Sequence, residues 1–200
     1  MSNRVLGLVI AVIVWGLSQA SGQAGVFDTV HFLSPGEFSI GLEPEIQLSN
    51  GGGVGLDLKY SQGLNELTTV AGILGASGGT YKFRVGGQMT FDFFPDVEGQ
   101  PGIGVTTKAM YYRLADTGSV EITAIPYIHK TFHVSGLNEV EPFLALPVGL
   151  GFSDGRYQAV STLSLGSLFK STDHLRYVFE LGIGLNNTES YLSGGIVYYH

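Results

Sequence analysis

Apolar and polar side chains alternate along much of the chain, most clearly in segment 81–93. Almost all of its odd positions are apolar. Its even positions carry Lys82, Arg84, Gln88, Thr90 and Asp92. A β-strand separates such positions onto opposite faces, whereas a helix mixes them around its circumference. A common strand has about five or six residues, but a tilted membrane strand needs about nine to eleven. The segment therefore predicts a long strand with one apolar and one polar face.

Other segments repeat this alternation, with turn sequences between them. They lie at 38–48, 54–61, 67–76, 103–114, 120–132, 140–152, 157–169, 175–185 and 191–200. The intervening stretches are rich in glycine, asparagine and aspartate, which favour tight turns. The pattern predicts about ten antiparallel strands, or eight if the weakest are lost. An even number returns both ends of the chain to the same side, as in bacterial outer-membrane barrels.

Some residues fit these strands poorly. Pro44, Pro126, Pro142 and Pro147 lie inside predicted strands, where proline removes a hydrogen-bond donor from the ladder. Segment 140–152 is therefore the least secure strand. One basic residue, Lys130, falls on an apolar face, where its long stem allows the ammonium group to reach a membrane interface.

The N-terminus has the pattern of a secretory signal peptide. Arg4 precedes an uninterrupted apolar run of 13 residues, which is shorter than the roughly 20 residues of a spanning helix. Small residues then follow, and we favour cleavage after Ala24 over cleavage after Ala20. The prediction is a signal peptide at 1–24 and one domain at 25–200; an uncleaved helical anchor is the alternative.

Composition supports an exported β-protein and excludes several function classes. Charged residues make up 14% and aromatic residues 12%, and the chain has 30 glycines. The absence of cysteine excludes disulfides, thiolate metal sites and a lipidated N-terminal cysteine. A net charge of −7 argues against nucleic acid as a partner. We expect no cofactor and no metal.

The chemistry of the two strand faces predicts which one meets the lumen. One face carries large apolar residues, and the other carries charges of both signs with Ser, Thr and Gly. Aromatic residues lie near segment ends, among them Phe38, Tyr81, Phe93, Tyr112 and Tyr199, as in interfacial girdles. These features predict an all-β fold, a single antiparallel up-and-down transmembrane β-barrel with lipid outside. A soluble periplasmic barrel would face its apolar side inward, around a small apolar ligand.

These features together resemble the small outer-membrane β-barrel proteins of Gram-negative bacteria. The last segment, 195–200, is aromatic-rich, as in that family, although His200 follows the aromatic pair Tyr198 and Tyr199. The resemblance implies location in the outer membrane, contact with outer-membrane lipids and recognition of the last strand by the barrel-assembly machinery. Family members act as anchors, narrow pores, adhesion proteins or lipid-modifying enzymes. We expect a monomer.

The polar face supplies the candidate functional residues. They are Glu43, Glu45, Asp57, Lys59, Lys82, Arg84, Asp92, Lys108, Glu121, Arg176 and Glu180. The lumen of a barrel with eight to ten strands is narrow and largely filled by side chains. An unpaired buried charge is costly, so these charges are expected to pair. The pattern favours a non-enzymatic structural or narrow-pore role, with a polar conduit or ligand site as the alternative.

A lipid hydrolase is the less favoured hypothesis for the function. It would need a serine and an acid beside a histidine such as His129. Ser161, Ser164 and Glu121 are available, but nothing in their spacing selects them, and no catalytic residue is assigned. Metal binding by His129 and His133 is weaker still, because positions i and i+4 do not converge on a strand.

Overall fold

The computed structural model describes Gly25 and residues 33–48, 52–79, 81–114, 116–134 and 138–200. Twelve antiparallel strands of these residues form one sheet. They are β1 (Phe38–Gln47), β2 (Val54–Asn65), β3 (Thr68–Ser77), β4 (Phe83–Phe94), β5 (Gly102–Arg113), β6 (Gly118–His129), β7 (Phe132–Val134), β8 (Asn138–Ala145), β9 (Val148–Ser153), β10 (Arg156–Lys170), β11 (Leu175–Asn186) and β12 (Tyr191–Tyr199). The predicted signal peptide at 1–24 lies outside the described residues. Among those residues, no helix is long and apolar enough to cross a membrane.

The sheet closes into a barrel because the last strand pairs with the first. Hydrogen-bonded pairs join β12 to β1, and β11 to both β10 and β12. β8 and β9 both lie between β6 and β10, so together they form one interrupted wall strand. The short β7 pairs only with β8 among the described strands. The result is a closed antiparallel barrel of ten wall strands, which confirms the predicted fold class and strand number.

Proline accounts for the interruption in the wall. β8 ends and β9 begins around Leu146 and Pro147. Because proline has no backbone N–H, it cannot complete a regular ladder. The chain is held there by two bonds: the Leu146 N–H donates to the Pro126 carbonyl, and the Thr162 N–H donates to the Pro147 carbonyl, both at 3.0 Å. Pro44 and Pro142, in contrast, remain within β1 and β8.

Both ends of the described wall lie on the same side of the barrel. Phe38 and His200 exchange backbone hydrogen bonds of 3.0 and 2.9 Å. We call this side the terminal end. At the opposite side, which we call the turn end, β1, β3, β5, β9 and β11 end.

The orientation of β4 decides between the membrane and soluble alternatives. Arg84, Gln88 and Thr90 are buried in the lumen, whereas Val85 and Met89 are exposed on the outer surface. The other wall strands show the same outward apolar positions. The soluble alternative required the opposite facing, so that part of it is wrong. An apolar exterior is the surface expected of a barrel that contacts lipid.

Some predicted girdle aromatics lie inside the barrel. Phe83 packs against Tyr111 on the outside, with ring centroids 6.0 Å apart. Tyr81, Tyr112 and Tyr199 are instead buried, which corrects their placement at the lipid interface. The alternation misplaces Tyr81 because β4 begins only at Phe83, so Tyr81 belongs to the preceding turn.

Candidate functional site

Arg84, the second residue of β4, projects from the inner face of the barrel wall. Its side chain is 0% exposed. Its Nε donates to Asp57 at 2.7 Å, and a terminal nitrogen donates to the second oxygen of the same carboxylate. The guanidinium also donates to Glu45 at 3.0 and 3.5 Å. Arg84 thus joins carboxylates of β1 and β2, and each bond is strengthened by the charge of both partners.

The ion pair between Arg84 and Asp57 crosses an intervening strand. The register places Asp57 opposite Gly75 of β3, and Gly75 opposite Arg84 of β4. A Cβ atom on Gly75 would collide with the Asp57 carboxylate and press on the Arg84 side chain. Glycine at this position therefore opens the gap across which the two side chains meet.

Aromatic and apolar residues pack against this network, and Tyr81 lies on its side toward the turn end. The Arg84 guanidinium lies over the Tyr81 ring, 4.6 Å from its centroid, in cation–π geometry. Tyr81 packs edge-on against Tyr112 at 5.9 Å. Ile73 and Met110 complete this buried cluster.

Five more of the predicted charged residues are buried with Arg84. They are Glu43, Lys59, Lys108, Glu121 and Glu180. Together with Glu45, Asp57 and Arg84 they form what we call the middle layer. In it, Tyr191 donates to Glu180 and lies 3.0 Å from Ser164. Both carboxylate oxygens of Glu121 and one of Glu43 lack a hydrogen-bond partner among the described residues.

A smaller polar group lies nearer the terminal end. The Nδ1 atom of His129 is 2.7 Å from Glu141, and Arg176 donates to the other oxygen of that carboxylate at 3.2 Å. Asp92 is only partly buried. Beside this group lies a buried apolar cluster of Leu33, Ile125, Tyr127, Phe143, Ala145, Leu168, Val178, Val197 and Tyr199.

Three predicted network residues lie away from the middle layer. Lys82 is exposed, because it precedes β4 and does not share the inward register of Arg84. Asp92 and Arg176 face inward but lie near the terminal end and are partly buried. The remaining eight residues are buried inside the barrel.

Sequence reasoning missed Glu141 and the apolar part of the lumen. Glu141 is 3% exposed. The prolines in its segment weakened the strand prediction, but the alternation of Val140, Pro142 and Leu144 around it was a usable signal. Val178 shares the alternate positions of Arg176 and Glu180, so the period of two places it inward, although its apolar side chain alone does not mark it as lumenal.

The residues considered for a hydrolase do not form a catalytic cluster. His129 pairs with Glu141 and not with Glu121. Ser164 instead lies beside the Tyr191 hydroxyl, and the Ser161 carbonyl accepts a bond from Thr188 at 2.7 Å. Within the described part of the chain, no group of three metal-ligating side chains is present.

Lys130, the basic residue that the sequence pattern placed on an apolar face, hydrogen-bonds to the connection between β4 and β5 at the terminal end. Its ammonium group donates to Asp96 at 2.6 Å and to the carbonyls of Val97 and Gln100 at 2.7 and 3.0 Å. The Thr131 N–H also donates to Asp96, at 2.6 Å. Burial opposes ionisation of Asp96, but these hydrogen bonds outweigh it and lower the pKa of the carboxyl below its usual 3.8.

Comparison with known proteins shows a likeness of fold. No family model matches the chain, and no curated protein matches it. Among solved structures, the COG4313 outer membrane channel from Pseudomonas putida F1 is 10% identical with a TM-score of 0.50, covering 89% of this chain and 100% of that one. The KdgM porin is 14% identical with a TM-score of 0.44, covering 80% and 98%. The chain thus has the fold of outer-membrane β-barrel proteins.

Proposed function

We propose that this outer-membrane β-barrel is a non-enzymatic narrow pore whose lumen is largely filled by paired charged side chains. The observation that supports this most is Arg84, a fully buried guanidinium held by carboxylates from two other strands. A long charged side chain fixed in this way fills part of the lumen. Small ions pass such a lumen only slowly, and larger solutes are excluded.

The balance of charge in the middle layer supports a preference for cations. Five carboxylates, from Glu43, Glu45, Asp57, Glu121 and Glu180, accompany only three basic groups, from Lys59, Arg84 and Lys108. Fixed negative charge in a narrow, low-dielectric passage concentrates cations and repels anions. The ions that cross are therefore expected to be small cations.

Planar-bilayer recording tests the proposal. The wild type is expected to show a small conductance with a reversal potential that favours K⁺ over Cl⁻ in a salt gradient. Arg84→Ala removes the central side chain and one positive charge, so conductance and cation preference should both rise. Arg113→Ala is the matched control, because Arg113 is exposed at the end of β5.

Two results would contradict the proposal. A large, steady wild-type conductance that Arg84→Ala leaves unchanged would mean an open pore. A chain that conducts no ions in either form would support a purely structural barrel.

A further inference from the structure

Gly25 lies inside the barrel, although the wall begins thirteen residues later at Phe38. It is buried, and its carbonyl oxygen accepts a hydrogen bond of 2.9 Å from the Lys108 ammonium. A Cβ atom built on Gly25 would lie 3.1 Å from Glu43 Oε1 and 3.6 Å from Glu180 Oε2. The main chain of Gly25 is therefore in contact with the middle layer.

The surroundings of Gly25 include a buried carboxylate oxygen that has no hydrogen-bond partner among the described residues. Glu43 is 1% exposed, and its Oε1 atom, the one nearest Gly25, has no hydrogen-bond partner among the described residues. Glu180 is equally buried and accepts a hydrogen bond from Tyr191, so the oxygen in need of a partner belongs to Glu43. Burying a carboxylate without a compensating cation costs several kcal/mol. The site thus has the chemistry that recognises a positive charge next to Gly25.

We propose that cleavage of the Ala24–Gly25 bond supplies this charge, so that the new α-ammonium group of Gly25 pairs with Glu43 and Glu180 inside the lumen. A signal peptidase adds water across the peptide bond: the hydroxyl goes to the Ala24 carboxyl, and a hydrogen goes to the Gly25 nitrogen. The free amine takes up a further proton near neutral pH, because α-amino groups have pKa values of about 7.7–8.0.

A glycine at this position leaves the most room for the amine. The nitrogen and the Cβ position are both bonded to the Gly25 Cα, the nitrogen at about 1.46 Å, and the Cβ position lies 3.1 Å from Glu43 Oε1. A larger side chain would compete with the amine for the space next to Glu43. Lys108 meanwhile holds the carbonyl, so both polar groups of the residue have a partner. The N-terminus thereby becomes part of the lumen filling.

The experiment measures the reactivity of the α-amine in the intact barrel. The mature protein is purified from outer membranes in detergent, and its intact mass should correspond to a chain that begins at Gly25. Acetylation with an N-hydroxysuccinimide ester at neutral pH is then followed by peptide mapping. We expect the Gly25 amine to react at least about tenfold more slowly in the folded protein than after unfolding in guanidinium. The exposed amine of Lys82 is the internal reference.

Matched variants separate ion pairing from simple burial. Glu43→Gln removes the charge that faces Gly25 while preserving shape, so acetylation of the folded protein should accelerate severalfold. Glu180→Gln is the second variant should the first fail to fold, and Glu98→Gln, in an exposed connection, should have no effect.

Each contrary result overturns the proposal. A mature chain that begins elsewhere removes the charge from this position. Equal reactivity in the folded and unfolded states shows that the amine is outside the lumen, and an unchanged rate in the glutamine variants shows that no ion pair forms. None of these readouts depends on conductance, so the proposed pore function stands or fails separately.

Discussion

The outer and inner faces of the same barrel wall follow different rules. Outward positions are apolar almost everywhere; on β1, for example, Ile40, Leu42 and Ile46 are 43%, 46% and 48% exposed. The inner face instead changes along the barrel axis. Tyr81 and Tyr112 lie toward the turn end, charged residues of the middle layer lie alongside Ile73 and Met110, and a second apolar cluster lies toward the terminal end.

This difference follows from what each face contacts. Lipid is uniform, so any large apolar side chain satisfies an outward position. The lumen is a confined volume in which side chains must fill space and each buried charge needs partners. Inward positions are therefore specific to their neighbours, whereas outward positions are interchangeable. Substitutions on the two faces should differ in both size and kind of effect.

The largest effect should come from removing Arg84. Arg84→Ala leaves Glu45 and Asp57 buried without their cation, and the loss of one partner from a buried pair typically costs about 3–5 kcal/mol of stability. The melting temperature of the purified barrel should fall sharply. In the double variant that also carries Asp57→Asn, the total loss of stability should be smaller than the sum of the two single losses. Asp57→Asn removes one of the two carboxylates that Arg84→Ala leaves without a cation. Strictly additive losses would show that these residues do not interact.

An outward charge near the middle of the wall should come next. Leu181 lies midway along β11, so Leu181→Arg places a cation in lipid. Near the bilayer midplane this should lower the stability of the folded barrel by about 2–4 kcal/mol. Folding into lipid vesicles, followed by denaturant titration, measures the loss. The control is Leu64→Arg near the end of β2, where the cost should fall to about 0–1 kcal/mol. Equal costs would mean that the outer face does not contact lipid as inferred.

A conservative substitution compares the two faces directly. Ile125 is 0% exposed in the lumen, whereas Ile122 is 54% exposed outside, and both belong to β6. Ile125→Val should cost about 0.5–1.5 kcal/mol, because the lost methylene leaves a gap in a packed cluster. Ile122→Val should cost almost nothing in a bilayer, since lipid fills the space. Equal losses in chemical denaturation would refute the distinction.

The smallest effect is expected at Asp96, which lies in the connection between β4 and β5 and belongs to neither face of the wall. The folded-state pKa of Asp96 is lowered, so its stabilising contribution is complete above its usual value of 3.8 and is lost as the pH falls below it. Asp96→Asn should therefore flatten the stability profile of the barrel below about pH 4. The change should stay within about 1 kcal/mol, as for partly exposed ion pairs. An unaltered acid profile would contradict this role for Asp96.

The fold could be predicted from the sequence because its signal repeats. Alternation along β4 identified the inward positions of Arg84, Gln88 and Thr90, and the same period elsewhere led to ten strands. The candidate residues were selected from the same period, because it shows which charged residues face inward, and their role stays a prediction. Recognition of the last strand by the assembly machinery, the monomeric state and the signal peptide stay predictions.

Other features were beyond a local pattern. Tyr81 was placed outside and Lys82 inside, because the alternation does not reveal that β4 begins at Phe83. The partnership of Asp57 with Arg84 was also hidden, since the two lie on strands separated by β3 and meet only across Gly75. Both depend on register and on where strands end, which neighbouring strands set together.

The sequence by itself determined the wall of this protein, and tertiary structure decided the contents of the lumen. A period of two residues assigns each side chain to a face regardless of its neighbours. Which inward side chains meet depends on barrel closure and on stagger between strands that are distant in the chain. That is why Glu141 pairs with His129, and why the Gly25 carbonyl meets the Lys108 ammonium of the middle layer.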